Sequence, residues 1–386
     1  MVSSSGVAGR CRRCGDNNRA VAPLATQPIV WVRTCCRALQ FAGRPPPPSN
    51  RRNAMPLDIS QLRLPLIVSP MFLVSGPDLV VAAARSGVIG AFPALNQRSS
   101  AGYEHWLQQI AQGLREGPLA GCDRVAPYAV NLIVHGSNRR LQADLELTLR
   151  YRVPIVITSL GAVHDIVLRI QDHGGVVLHD VTSVRHAEKA LEAGVDGLIA
   201  VCAGAGGHGG TLNPFAFVAE LRQLTDKQIV LAGAVSNGAH IAAAIAAGAD
   251  LACAGTRFIA TRESMASAAY KQMLLNSSAK DIVYTPRISG IPANFLRPSL
   301  EANGIALDAP DMHGAVDLGK ELDHEGKAWK DIWSAGHGVG SLRDIPPASV
   351  LCARMEAEFA ASIQRLGGYA GGDPWHQRIC RMGLTS

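Results

Sequence analysis

Long apolar runs are missing from this chain. No stretch reaches the roughly 20 residues that a membrane-spanning helix needs, so the sequence reads as a soluble protein with no membrane partner. Aromatic residues are scarce, at 5% of 386 residues. The apolar 47% is instead largely alanine and valine, which suits an α/β protein with closely packed helices. A basic body is missing too. The net charge is +6, but residues 1–54 hold nine arginines against one acid, Asp16, and carry +8. The remaining 332 residues carry −2, which removes the electrostatic footprint of nucleic-acid binding.

A cysteine framework is also lacking. Cys11, Cys14, Cys35 and Cys36 fall in the first 54 residues at a spacing that matches no known zinc module, and no metal site is expected. Cys122, Cys202, Cys253, Cys352 and Cys380 have no framework spacing, so reduced thiols and a cytoplasmic location are expected. Residues 1–54 contain arginine and serine, are poor in acids, and run into Pro45–Pro48. They are expected to be a disordered leader: a transit peptide, or an upstream start with Met55 as the working one.

What is present begins at residue 62. Short runs rich in Val, Ile and Leu alternate with helix-period segments. The strand-like runs are 64–72, 88–96, 128–135, 154–161, 175–181, 197–203, 228–235 and 251–259. The helical segments include 76–87, 103–117, 164–174, 183–194 and 238–248, ending in Gly87, Gly117, Gly174, Gly194 and Gly248, as left-handed caps do. Near-continuous apolar strands are those buried on both faces. Eight strands alternating with helices predict a (β/α)8 TIM barrel, with a doubly wound open sheet as the rival. The polar residues gather at the C-terminal strand ends: Met71, Asn96, Asn131, His135, Thr158, Ser159, Asp180, Gly233 and Thr256. A barrel brings those ends into one ring.

The expected divisions are a barrel over 55–280, a loop-rich cap over 281–346, and a C-terminal helix and tail over 347–386, the helix covering 348–368. Within the barrel, "LAGAVSNG" and "ACAGTRFIAT" end two strands in small residues: Gly233 and Ala234, then Gly255 and Thr256. Loops after the seventh and eighth barrel strands commonly hold a phosphate on backbone N–H groups. No Walker sequence or G-x-G-x-x-G fingerprint follows the first strand. A mononucleotide such as a flavin, or a phosphorylated substrate, is therefore expected.

The chain resembles the nitronate monooxygenase family, formerly called 2-nitropropane dioxygenases. The resemblance rests on "SPMF" (69–72), "AVNLIVH" (129–135), "PIVITSLG" (154–161), "LHDVTSVRHA" (178–187), "AGAGGHGGTLNPF" (203–215), "LAGAVSNG" (231–238), "GTRFIATRES" (255–264), "SGIPANFLRPSLEANG" (289–304) and "DIWSAGHGVGSLRDIP" (331–346). It implies an FMN-dependent barrel that oxidises alkyl nitronates or nitroalkanes with O2. Pro70, Met71 and Phe72 would line the flavin ring, and Asn131 would hydrogen-bond its polar edge. Asp180 would lie near the ribityl chain or ring. Gly206 and Gly207 would pass close to the cofactor. Gly233, Ala234, Gly255 and Thr256 would hold the phosphate. His208 would be the base, or would orient the anion.

His135, Thr158 and Ser159 are candidate substrate contacts. Each assignment has a plainer counterpart. Met71 can fill core space, Asn131 can satisfy a loop, and Cys202 can be a small core residue. His135, His164, His173, His179 and His186 can all be structural. The family pattern has glycine where this chain has Ala234, and glutamine where it has His337. Two other functions stay open on the residues alone: an NAD(P)H-dependent flavin reductase acting on a quinone or enoyl thioester, and a flavin-free barrel binding a phosphorylated metabolite.

Overall fold

The computed structural model describes residues 57–288, 290–305 and 331–371, all within Arg51–Ser386, the second of two compact units. The expected leader, its four cysteines, Cys380 and cap residues 306–330 lie outside the described residues.

Eight parallel strands close on themselves. In chain order they are β1 (Leu66–Val68), β2 (Ile89–Pro93), β3 (Tyr128–Ile133), β4 (Ile155–Ser159), β5 (Val176–Val181), β6 (Gly197–Val201), β8 (Gln228–Ala232) and β9 (Leu251–Ala254). The seam is β9 on β1, where Ile67 faces Cys253. This is the (β/α)8 barrel, not the open sheet. Between the strands run α1 (Pro77–Arg85), α2 (Ser100–Leu114), α3 (Leu141–Arg150), α4 (His164–Asp172), α5 (Val184–Glu192), α6 (Pro214–Leu224) and α7 (Gly238–Ala246).

Both strand faces are buried, for different reasons. Ile67, Ile89, Ile157, Leu178, Ile199 and Val230 point inward and fill the barrel. Their neighbours Val68, Val130, Val156, Val177 and Leu198 point outward and pack with the helices. Full burial of each such side chain contributes about 1.5–3 kcal/mol. The apolar runs are therefore continuous, without the alternation of a half-wet sheet. Five helices reach their next strand through glycines at positive φ: Gly87 (79°), Gly117 (79°), Gly174 (85°), Gly194 (92°) and Gly248 (102°). Among the described residues no helix is long and apolar enough to cross a membrane.

Two expectations need correction. The run 251–259 is not one strand. It breaks after Ala254, and Thr256–Ile259 forms a short helix, α8. The cause is Gly255, whose carbonyl accepts from the amides of both Phe258 and Ile259. The cap is also more regular than a set of loops. After α9 (Ala268–Leu275) come β10 (Ile282–Thr285), β11 (Ala293–Leu296) and α10 (Arg297–Ala302). β11 is the middle strand of an antiparallel sheet whose third member is β7 (Gly207–His208).

The final helix, α11 (Ala348–Gly371), packs on α7 and α1, as its apolar period predicts. Contact with α7 is close: a Cβ on Gly238 would lie 2.0 Å from the Met355 carbonyl oxygen. Buried Arg257 donates to Asp344 at 2.6 Å, and Asp344 also pairs with Arg354 of α11 at 2.7 Å. These contacts anchor the turn after β9 to α11.

Candidate active site

Inward polar side chains near the C-terminal ends of several strands form a polar ring above the apolar barrel. Asn131 (β3), Ser159 (β4), Asp180 (β5) and Cys253 (β9) belong to it, with Ser69 just past β1. Asn131 Nδ2 donates to Ser159 Oγ at 2.7 Å and to the Ile157 carbonyl at 3.1 Å. Ser159 Oγ donates to Asp180 Oδ2 at 2.5 Å. Ser69 Oγ and Cys253 Sγ lie 2.9 Å apart. Burial pushes the Asp180 carboxyl up to about 6, against the lowering effect of the Ser159 hydrogen bond.

Strand phase separates the candidates. Ser159 faces inward, so Thr158 faces outward. There Thr158 Oγ1 lies 2.7 Å from His179 Nδ1. Burial pushes that imidazole down to about 4. His135, two residues past β3, is exposed and lies 2.8 Å from Ser137 Oγ. Of the three expected substrate contacts, Ser159 lines the cavity at the barrel mouth, and Thr158 and His135 do not. His164 Nδ1 sits 3.1 Å from the Ala193 carbonyl, a structural role. Cys202 is buried and donates to the Ala200 carbonyl.

The glycine–histidine segment is held from two sides. On one, β7 pairs with β11, His208 opposite Ala293 and Gly207 opposite Asn294. Asn294 Nδ2 donates to the Ala205 carbonyl at 2.6 Å, and Tyr284 Oη to the Gly209 carbonyl at 3.0 Å. On the other side, the Gly204 carbonyl accepts from the amides of His337 (3.0 Å) and Ala234 (3.3 Å). Gly336 packs so closely that a Cβ on it would sit 2.3 Å from the Gly204 oxygen. Positive φ at Gly204 (86°) and Gly207 (69°) makes this path available. His208 is exposed through the cavity mouth, yet protein surrounds it closely enough that desolvation pushes its imidazole down to about 4.

The loops after β8 and β9 are neighbours around the barrel. Gly233, Ala234, Gly255 and Thr256 all line the cavity. The N-terminus of α7 is already capped: Asn237 accepts from the His240 amide, and Glu358 from the Gly238 amide. Thr256 Oγ1 accepts from the Gly336 amide at 2.8 Å. Ala234 adopts φ 54°, a conformation that costs a non-glycine residue about 1–2 kcal/mol. Ala234→Gly is expected to raise the thermal midpoint by about 1–3 °C, since strain relief exceeds the added chain entropy. Differential scanning calorimetry checks this; a lowered midpoint would show that the strain is compensated.

Pro70, Met71 and Phe72 form the turn after β1 and line the same cavity. Buried Asn96 braces this turn. Its Oδ1 accepts from the Leu73 amide at 2.9 Å, and its Nδ2 donates to the carbonyls of Met71 (3.0 Å) and Ser75 (2.7 Å). Leu73 is held at φ 57°.

The cavity measures about 1270 Å3, and every expected site residue except His135 and Thr158 lines it. Asn96 stood out in the sequence as a polar strand end, but its bracing role did not. Tyr284, Asn294 and Gly336 lie in or beside the motifs "IPANF" and "SAGHGVG", yet no local pattern ties them to the glycine segment.

A parallel barrel whose polar ring, glycine-lined cleft and imidazole all open at the C-terminal strand ends is a (β/α)8 enzyme in architecture. Its sequence narrows this further. The profile of the nitronate monooxygenase family matches residues 123–358, and the chain belongs to that family. A nitronate monooxygenase of Paraburkholderia phytofirmans is 32% identical over 221 residues, covering 53% of this chain and 60% of that protein. The chain thus aligns with less than two thirds of that relative's length. A structure of nitroalkane oxidase from Streptomyces ansochromogenes superposes with a TM-score of 0.66 at 25% identity, covering 80% of this chain and 99% of the other. FabK from Thermotoga maritima shares the fold, with a TM-score of 0.66 at 22% identity over 81% of this chain and 97% of that one.

Proposed function

We propose that this protein binds FMN and oxidises alkyl nitronates or nitroalkanes with O2. The observation that carries the reading is convergence: one cavity receives His208, the glycine segment before it, and the two small-residue loops after β8 and β9. The groups present suit FMN. The loop backbone of Gly233 and Gly255 and the Thr256 hydroxyl suit a phosphate, with no carboxylate among them. A Cβ on Gly207 would meet nothing within 4 Å, which suits a flat ring beside it, whereas Gly206 is pressed against the backbone of Ala335 and Gly336. Asn131 supplies an amide at the polar edge. Bound flavin would supply the redox chemistry, accepting electrons from the nitro compound and passing them to O2.

The chain's own residues have narrower tasks. Met71 and Phe72 present an apolar wall to the ring. His208 is neutral at pH 7, so it can take the α-proton of a neutral nitroalkane. Toward a nitronate, already deprotonated, a neutral imidazole orients the anion through its N–H. Among the described residues Cys122, Cys202, Cys253 and Cys352 are free; a cytoplasmic location is part of the proposal.

The test starts with the visible spectrum of the purified protein, which should show bound flavin. Propionate 3-nitronate should then be consumed under O2. Anaerobic mixing with NADH or NADPH separates this from a reductase: no bleaching is expected, and rapid bleaching would overturn the monooxygenase reading.

A further inference from the structure

The polar ring contains a hydrogen-bond chain with a direction. Asn131 Nδ2 spends its two protons on Ser159 Oγ and the Ile157 carbonyl. Ser159 spends its single proton on Asp180 Oδ2. Two acceptors fix the amide: the Ile157 carbonyl directly, and the Asp180 carboxylate through Ser159. The amide of Asn131 therefore has one orientation, with Oδ1 left as its free end on a residue that lines the cavity.

We infer that Ser159 and Asp180 are positioning residues that make Asn131 present a hydrogen-bond acceptor to the cofactor site, and that protonating Asp180 releases this orientation. The inference rests on the flavin reading above. The complementary group is an N–H, and the imide N–H is the one ring N–H of an oxidised flavin. A protonated Asp180 can donate to Ser159, whose own proton then opposes Asn131 Nδ2; turning the amide to offer Ser159 its Oδ1 gives up the Ile157 hydrogen bond and aims Nδ2 at the same N–H. Donor then meets donor.

The surroundings leave Asp180 free to titrate. Across the barrel from β9 stands Cys253, whose thiol burial pushes up to about 12 and so keeps neutral. On β6, Ile199 is its strand partner and carries no charge. His179 lies beside it on the outer face of β5, paired with Thr158. From α5, His186 and Lys189 reach the same cavity. From β3 and β4 come the neutral groups Asn131 and Ser159. Among the described residues no cation pairs with Asp180. Its carboxyl, raised to about 6, places the change just below neutral pH.

Simple electrostatics gives the opposite sign, which makes the idea testable. An uncharged residue 180 should tighten binding of the anionic FMN if charge alone matters. The relay requires it to weaken binding. Apoprotein is titrated with FMN by flavin fluorescence from pH 5 to pH 8, in the wild type, Asp180→Leu, which keeps the size and removes the acceptor, and Ser159→Ala. The ratio of variant to wild-type Kd cancels titration of the FMN phosphate itself.

For Asp180→Leu the expected ratio is about 10 at pH 8, the worth of one hydrogen bond, falling to about 1 at pH 5. Ser159→Ala should weaken binding by a similar factor at pH 8, and the double variant no further. A ratio below 1, or one that is constant across pH, would overturn the relay while leaving the cofactor reading intact. Failure of the wild type to bind FMN at any pH would overturn both. Should either variant fold poorly, the wild type titrated with riboflavin, which has no phosphate, still decides: affinity must fall from pH 8 to pH 5.

Discussion

His208→Asn is expected to lower kcat/KM for a neutral nitroalkane by about 10²–10⁴-fold, the usual range for a positioned general base. Turnover of the preformed nitronate should fall much less, because no C–H proton remains to be removed. The asparagine amide can still donate a hydrogen bond to the anion. Stopped-flow oxygen consumption with matched nitroalkane and nitronate pairs measures both. Equal loss on the two substrates would remove the base assignment. The pH dependence carries a sign as well. Burial pushes the imidazole down to about 4, so the proposed base would be in its neutral, working form throughout neutral pH. Activity limited by His208 should be flat above about pH 5–6 and fall only toward acid. A rise centred near pH 7 would point to a different titrating group.

Asn96→Ala should destabilise the protein by about 2–4 kcal/mol. The variant strands the Leu73 amide and weakens the settings of the Met71 and Ser75 carbonyls, all parts of one turn. Leu73 then has no brace for its positive φ. The thermal midpoint should fall by about 5–15 °C. The same change frees the Pro70–Phe72 turn, so flavin affinity should drop along with stability. A variant that melted normally and bound FMN normally would show that the turn is held by packing alone. Differential scanning fluorimetry with and without added FMN separates the two effects.

The barrel was legible in the sequence because strand burial on both faces writes itself as unbroken apolar runs. The helix ends were legible because five glycines sit where only a left-handed residue fits. Phase within a strand was not. In "PIVITSLG" both faces are apolar up to Thr158 and Ser159, so nothing local says which of the two faces the cavity. β7 was not legible either. Gly207 and His208 have no strand propensity of their own, and their conformation comes from β11, far along the chain. The departure at Ala234 was visible, and its consequence is now specific: the residue takes the left-handed conformation despite its methyl group.

The pairing of β7 with β11 has a mechanical meaning. His208 belongs to the same sheet as Tyr284 on β10, so the imidazole and the hairpin form one body. If His208 is the proposed base, a ligand bulky enough to push the hairpin aside would carry it away from the reacting carbon. Tight binding and slow turnover would then go together, and size selection would be exerted on the rate, not on entry.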